Sequence, residues 1–147
     1  MKVSLDTNIL VYAQGVDDAG RQSIAENYTQ MLSVEDTFVS AQALGELFNV
    51  LVRRGRGRDV AKQAIEFWRA TFTLVETTGE LLSHAVGLAA ESKLQIWDAI
   101  ILAAAAEAHC DILLSEDFQD GFAWRGVTVV NPFAENPHKM LTKLLRG

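Results

Sequence analysis

Two periodicities alternate along this chain. Short apolar runs at Lys2–Leu5, Thr37–Val39, Phe72–Val75, Ile112–Leu114 and Val127–Val130 have the length and β-branched content of strands. Between them the apolar residues recur at helical spacing. The pattern predicts a helix over Arg21–Ser33 with Ile24, Tyr28, Met31 and Leu32 on one side, and a long helix from Ala41 to about Arg54 with Ser40 as its N-cap. Further helices are expected from Asp59, as a cap, to about Ala70, from a capping box at Thr77–Glu80 to about Ser92, and from about Trp97 to His109. Asp6-Thr7-Asn8 ends the first strand with residues that cap helices, Ile9–Ala13 continues as an apolar stretch, and Gly15–Gly20 reads as a loop. Pro132 and Pro137 break the chain before a short amphipathic segment carrying Met140, Leu141, Leu144 and Leu145. Strands alternating with helices predict an α/β fold around a parallel sheet. No repeat, low-complexity tract or linker divides it, so residues 1–147 form one domain, with about 132–147 as a C-terminal tail.

Composition adds a real core, since 49% of the 147 residues are apolar and 22% are charged. The longest apolar run, Ala99–Ala106, is too short to span a bilayer, and Asp6 interrupts the amino end too early for a signal peptide. Cys110 is the only cysteine, so no intrachain disulfide forms; a reducing, cytoplasmic setting with no membrane association is expected. The net charge of −6 opposes non-specific binding to phosphate backbones unless the charges are segregated. One local reversal exists. Arg53, Arg54, Arg56 and Arg58, spaced by Gly55 and Gly57, make either a solvated helix end that complements the C-terminal dipole or an edge that contacts RNA phosphates.

The informative acids lie where strands end. In open parallel sheets, ligands bind beyond the carboxyl ends of the strands. Asp6 directly follows the first strand, where it serves equally as a helix cap. Asp117 follows Ile112–Leu114 in an acidic turn that also holds Asp120-Gly121. Asp98 opens a helix that is apolar on every side and therefore buried. It is either the anion at that helix's amino end or an acid delivered to a site at the sheet edge. Glu46 lies opposite the core face formed by Leu44, Leu47, Phe48, Leu51 and Val52, on a polar stripe with Gln42, Asn49 and Arg53. Such stripes are ordinarily solvated; this one meets a site only if its helix borders the crevice.

Taken together, these carboxylates suit a hard divalent cation, Mg²⁺ or Mn²⁺. Without one, clustered carboxylates repel and raise their own pKa values. Rival chemistries lack their residues. His84, His109 and His138 are scattered, no G-x-S-x-G turn or Cys–His pair is present, and there is neither a P-loop nor a G-x-G-x-x-G. An aspartyl-phosphate phosphatase wants a second acid two residues after the first, and that position is Asn8.

Three stretches resemble the PIN-domain family: Asp6-Thr7-Asn8-Ile9-Leu10, Trp97-Asp98-Ala99-Ile100-Ile101, and Leu113 through Gly121. Glu46, in Ala43-Leu44-Gly45-Glu46-Leu47, occupies the place of that family's helix-borne acid. The ordered set covers nearly the whole chain, and the wording of Ser115–Gly121 looks most like VapC-type toxins. The resemblance implies a Rossmann-like three-layer α/β/α domain with a central, mostly parallel sheet of about five strands. It implies a metal-dependent endoribonuclease that hydrolyses RNA phosphodiester bonds, a VapB-like antitoxin partner and a homodimer. Carried over by position, Asp6, Glu46, Asp98 and Asp117 are the catalytic and metal-binding acids. Thr7 and Ser115 are hydroxyls supporting them, and Asp120 shares or supports the fourth role. A housekeeping RNA-processing nuclease, or a non-catalytic module that only binds RNA or protein, are the alternative readings.

Overall fold

The computed structural model describes residues 1–146; Gly147, the end of the expected tail, lies outside them. The first half of the chain runs β1 (Val3–Leu5), α1 (Thr7–Ala13), α2 (Ala19–Met31), β2 (Thr37–Ser40), α3 (Ala41–Arg53), α4 (Arg58–Thr71) and β3 (Thr73–Val75). The second half runs α5 (Gly79–Ser92), α6 (Ile96–Glu107), β4 (Ile112–Leu114), β5 (Ala123–Trp124), β6 (Val127–Val130) and α7 (Lys139–Arg146). The six strands form one sheet in the order β3-β2-β1-β4-β6-β5. All neighbours are parallel except β5, a two-residue edge strand antiparallel to β6.

Strand alternation divides the interior into two cores, one on each face of the sheet. Val3, Leu5, Ile112, Leu114 and Val130 point to the face covered by α1, α2, α3, α4 and α7. Leu113, Val127 and Val129 point to the other, covered by α5 and α6. Three layers result. Helix α6 is the most deeply set, with Ala99 through Ala105 all buried, as expected of a helix apolar on every side.

Local signals explain most boundaries. Ser40 closes β2 and caps α3, its Oγ accepting from Ala43 N at 3.0 Å. At the other end of α3, Gly55 takes φ +79°, with Gly55 N–H donating to Val52 O and Arg56 N–H to Leu51 O. This is a Schellman turn, which requires a residue tolerant of positive φ. Three local expectations are corrected. Helix α4 is entered from Gly57 at φ +82°, one residue before Arg58, so Asp59 lies within its first turn rather than at the cap. Thr78, not Thr77, caps α5, its Oγ1 accepting from Leu81 N at 3.1 Å. On α2 the small Ala25 takes the core position with Tyr28, and Leu32 is buried just beyond, whereas Ile24 and Met31 face solvent.

The strand order places the site. From β1 the sheet grows one way through β2 and β3, and the other way through β4, β6 and β5. The boundary between β1 and β4 is therefore the topological switch point, where a crevice opens beyond the strand ends. Leu5 pairs with Leu114 in register, which sets Asp6 beside Ser115.

Candidate metal centre

Asp6 sits at the end of β1, directly before the cleft-lining Thr7 and Asn8. It is 1% exposed, caps α1 and accepts from Thr7 N–H through Oδ1 at 2.7 Å. Its other oxygen, Oδ2, accepts from the Ser115 hydroxyl at 2.5 Å and from Asn8 Nδ2 at 3.3 Å. The cap role expected of Asp6 is thus real, and it occupies only one oxygen. Despite three donors, burial wins: desolvation, aided by the charges of Asp117 and Asp98, pushes the carboxyl up from 3.8 to about 7.

Ser115 is the hub of the opposite strand end. It is fully buried, and its Oγ also accepts from Asp117 N at 3.0 Å and from Asn8 Nδ2 at 3.3 Å. The exposed Asp117 is thereby held in a turn that no helix follows, so its carboxylate has no capping work. Asn8, to which the sequence assigns no role in the site, joins this network. Its amide ties the ends of β1 and β4 together, and its Oδ1 is buried with no hydrogen-bond partner.

Helix α3 does border the crevice. Thr7 Oγ1 donates to Glu46 Oε2 at 2.6 Å, and Gln42 Nε2 donates to Oε1 at 3.2 Å. The polar stripe on α3 is therefore one wall of the site. Asp98 projects from the first turn of α6 and, among the described residues, accepts no hydrogen bond; Gln95 stands at that helix's cap position. Burial first, then the charges of Asp117 and Glu46, raise its carboxyl to about 6. The charges of Asp117 and Asp98 thus reach Asp6, and those of Asp117 and Glu46 reach Asp98.

Asp120 does not join them. Its Oδ1 accepts from Asn131 N at 2.9 Å, tying the β4–β5 loop to the end of β6. Of the four arginines, Arg53 and Arg54 line the crevice, Arg54 with its Nε 3.1 Å from Asp17. Arg56 donates to the Gly15 carbonyl at 2.9 Å, and Arg58 begins α4. The cluster is therefore split in its surroundings. The crevice is an open cleft of about 880 Å³, with Thr7, Asn8, Tyr12, Glu46, Trp97 and Asp117 among its lining residues.

A second network braces the loop that carries Asp117. The Tyr12 hydroxyl donates to one oxygen of Glu116, and Arg21 Nε donates to the other at 2.9 Å. The guanidinium also lies 5.9 Å over the Tyr12 ring and 5.6 Å over Phe133. Glu116 stands between Ser115 and Asp117 in sequence, and both its oxygens are taken up by this brace. Only its adjacency to Ser115 and Asp117 hints at that in the sequence.

Among the described residues, no three Asp, Glu, His or Cys side chains are gathered closely enough to hold a metal ion between them. The donor chemistry nonetheless fits a hard dication. Among the described residues, Asp6 and Asp98 are desolvated carboxyls without a countercharge, and the buried Asn8 Oδ1 lacks a partner. A small cation that keeps several waters needs only one or two direct carboxylates.

An α/β domain with carboxylates around the switch point of a parallel sheet is the class these features define. The PIN domain model matches residues 3–122, and the chain belongs to the PIN domain family. No curated protein matches the chain significantly. Among solved structures, VapC20 of Mycobacterium tuberculosis, a toxin that cleaves the sarcin–ricin loop, is 19% identical with a TM-score of 0.68, over 79% of this chain and 90% of that one. A toxin–antitoxin complex from Klebsiella pneumoniae is 22% identical with a TM-score of 0.68, over 90% of this chain and 98% of that one. VapBC2 from Rickettsia felis, bound to promoter DNA, is 15% identical with a TM-score of 0.64, over 89% and 98%. At these identities the likeness is one of fold. No helix among the described residues is long and apolar enough to cross a membrane.

Proposed function

We propose that this protein is a metal-dependent endoribonuclease, working in the cytoplasm as the toxin of a toxin–antitoxin pair. The observation that carries the reading is the set of four carboxylates at the β1–β4 switch point, two of them with pKa values raised toward neutrality by burial and mutual charge. Such a set is costly to the fold unless a cation binds it. Asp6, Asp98, Glu46 and Asp117 would hold Mg²⁺ or Mn²⁺, which supplies charge neutralisation at the phosphodiester and a water of lowered pKa.

The chain's own groups do the positioning. Ser115 and Asn8 fix Asp6 Oδ2, and Thr7 fixes Glu46 Oε2. Ser115 Oγ holds the backbone of Asp117, and Glu116 braces the same loop against Tyr12 and Arg21. Arg53 and Arg54, which line the same cleft as Trp97, offer guanidinium groups to the backbone flanking the cleaved bond.

The likeness to chains of toxin–antitoxin complexes supports a VapB-like antitoxin as partner, and a homodimer is the assembly we propose. A module that only binds RNA has no use for uncompensated carboxyls facing one another. RNA incubated with the purified protein in Mg²⁺, in Mn²⁺ and in EDTA tests the activity. Cleavage confined to the metal-containing samples is expected; none in any sample overturns it. Expression in the native host without its antitoxin separates toxin from housekeeping nuclease: growth arrest is expected, and unaffected growth with soluble active protein contradicts the toxin reading.

A further inference from the structure

Trp97 is the residue immediately before Asp98, and about 3.8 Å separates their Cα atoms across one trans peptide. Its side chain is 54% exposed and lines the same cleft as Thr7, Glu46 and Asp117. The other two tryptophans have settled partners. Trp68 is buried and stacks on Phe72 with ring centroids 5.9 Å apart, and Trp124 carries Arg125 over its ring at 4.6 Å. Among the described residues, Trp97 has neither an aromatic nor a cationic neighbour of this kind. Tyr12, the other aromatic lining the cleft, has its hydroxyl on Glu116 and its ring against Phe133 and Arg21.

A largely exposed indole therefore shares a polar cleft with Asn49, Arg53 and Arg54. A lone exposed tryptophan is ordinary on a protein surface. One set next to Asp98 in a cleft that guanidinium groups also line matches the pairing used to hold single strands: aromatic faces for bases, cationic groups for the backbone. We propose that Trp97 stacks on an unpaired base of the RNA and seats that nucleotide beside the carboxylates, with Asn49 available to its edge. The proposal rests on the ribonuclease reading and adds a determinant of which nucleotide is presented. A base within a duplex is already stacked on its neighbours and cannot take this position without leaving the helix.

The test uses Trp97→Ala and Trp97→Phe, each made in the wild type and in an Asp98→Asn background that leaves the RNA uncut. The probes are a short single-stranded oligoribonucleotide and its duplex, in Mg²⁺. In the Asp98→Asn background, W97A should weaken single-strand binding by about ten-fold or more, and W97F should stay within about three-fold. Duplex binding should be unaffected by either change. The emission lost in W97F should be quenched by the single strand in its tryptophan-containing parent. In the active background, W97A should raise KM by a similar factor and move kcat much less. Thermal melts show that the variants are folded, as an exposed side chain allows. Parent-like affinity of W97A for the single strand overturns the proposal. So does intact RNA affinity with altered self-association, which makes Trp97 a protein contact. Failure of the wild type to cleave any RNA defeats the nuclease reading instead, and the binding and quenching arms still decide Trp97.

Discussion

The Ser115 hydroxyl donates to Asp6 Oδ2 at 2.5 Å, across the seam where β4 and β1 end side by side. This bond opposes the burial that raises the Asp6 carboxyl to about 7. Ser115→Ala leaves Oδ2 with only the longer bond from Asn8. A hydrogen bond to a charged group contributes about 1.5–3 kcal/mol. Cleavage by S115A at neutral pH should therefore fall roughly 10- to 150-fold, with part of the loss recovered as pH rises. Ser115→Thr, which keeps the hydroxyl, should lie close to wild type. Profiles of kcat/KM against pH for the three proteins check this, and an unshifted S115A profile contradicts it.

Stability of the metal-free protein should fall as pH rises from about 4 to about 7. Asp6 and Asp98 have folded-state pKa values of about 7 and about 6, above the ordinary carboxylate value. Across that window the native state retains protons that the unfolded chain has released, so deprotonation favours unfolding. Asp6 alone accounts for a loss on the order of 4 kcal/mol by pH 7. Urea denaturation in EDTA over this range measures it. Adding Mg²⁺ or Mn²⁺ should restore stability mainly at the upper end, where the carboxylates are charged. Stability that rises steadily from pH 4 to 7 in EDTA contradicts the picture.

The arginine cluster should divide in function as it divides in structure. Arg53 lines the cleft, whereas Arg56 is bound to the Gly15 carbonyl. Arg53→Gln should weaken RNA binding and lower the magnitude of the salt slope for a single strand by about 0.7. Arg56→Gln should leave that slope unchanged and cost about 1 kcal/mol of stability. Affinity titrations over a range of salt, beside urea melts, separate the two. Equal slope changes in both variants would return the cluster to a diffuse basic surface.

Asp117 and Asp120 are distinguishable by the same logic. Asp120 ties the loop to Asn131, so Asp120→Asn should retain cleavage within about three-fold and cost about 1 kcal/mol in stability. Asp117→Asn should reduce cleavage by two orders of magnitude or more, the scale on which lost electrostatic groups are felt at reacting centres. Cleavage assays on the two variants, with melts as controls, are decisive. Comparable losses in both reinstate a shared fourth acid.

The sequence made the architecture legible where a local signal and a periodic one agreed. Ser40 ends an apolar run and opens a helical one, and it caps α3 through the bond expected of it. Where signals were ambiguous, the error was small. Thr77 and Thr78 are chemically alike, and Glu80 three residues after Thr77 drew the cap one position early. Ala25 shows a different limit, because periodicity weighted by large apolar residues favoured Ile24 and Met31 over a small side chain that fits under the helix. Strand β5 comprises only Ala123 and Trp124, too short for any pattern, and exists through its pairing with β6. For the site, Asp6 and Asp117 were readable because strand ends are local. Glu46 needed the packing of α3 against α1, and the engagement of Asp120 by Asn131 needed the loop's path. Asn8, Glu116 and Arg21 act through contacts that no spacing encodes.

On the proposed reading, Asp6, Glu46, Asp98 and Asp117 form a site whose clustered charge opposes the metal-free fold until a divalent cation binds. The most direct measurement compares thermal melts of wild type and Asp98→Asn in EDTA and in Mg²⁺ or Mn²⁺, beside an RNA cleavage assay. Asp98 is raised to about 6 by burial and by the charges of Asp117 and Glu46, and it accepts no hydrogen bond among the described residues. Replacing it with the neutral isostere should leave the EDTA-treated protein as stable or more stable at pH 8. Metal should then stabilise the wild type well and the variant much less, and cleavage should be lost. If Asp98 served only as an anion at a helix amino end, the change would cost about 0.5–1 kcal/mol in EDTA. A destabilised D98N protein that still cuts RNA, with the same response to metal as the wild type, contradicts the account.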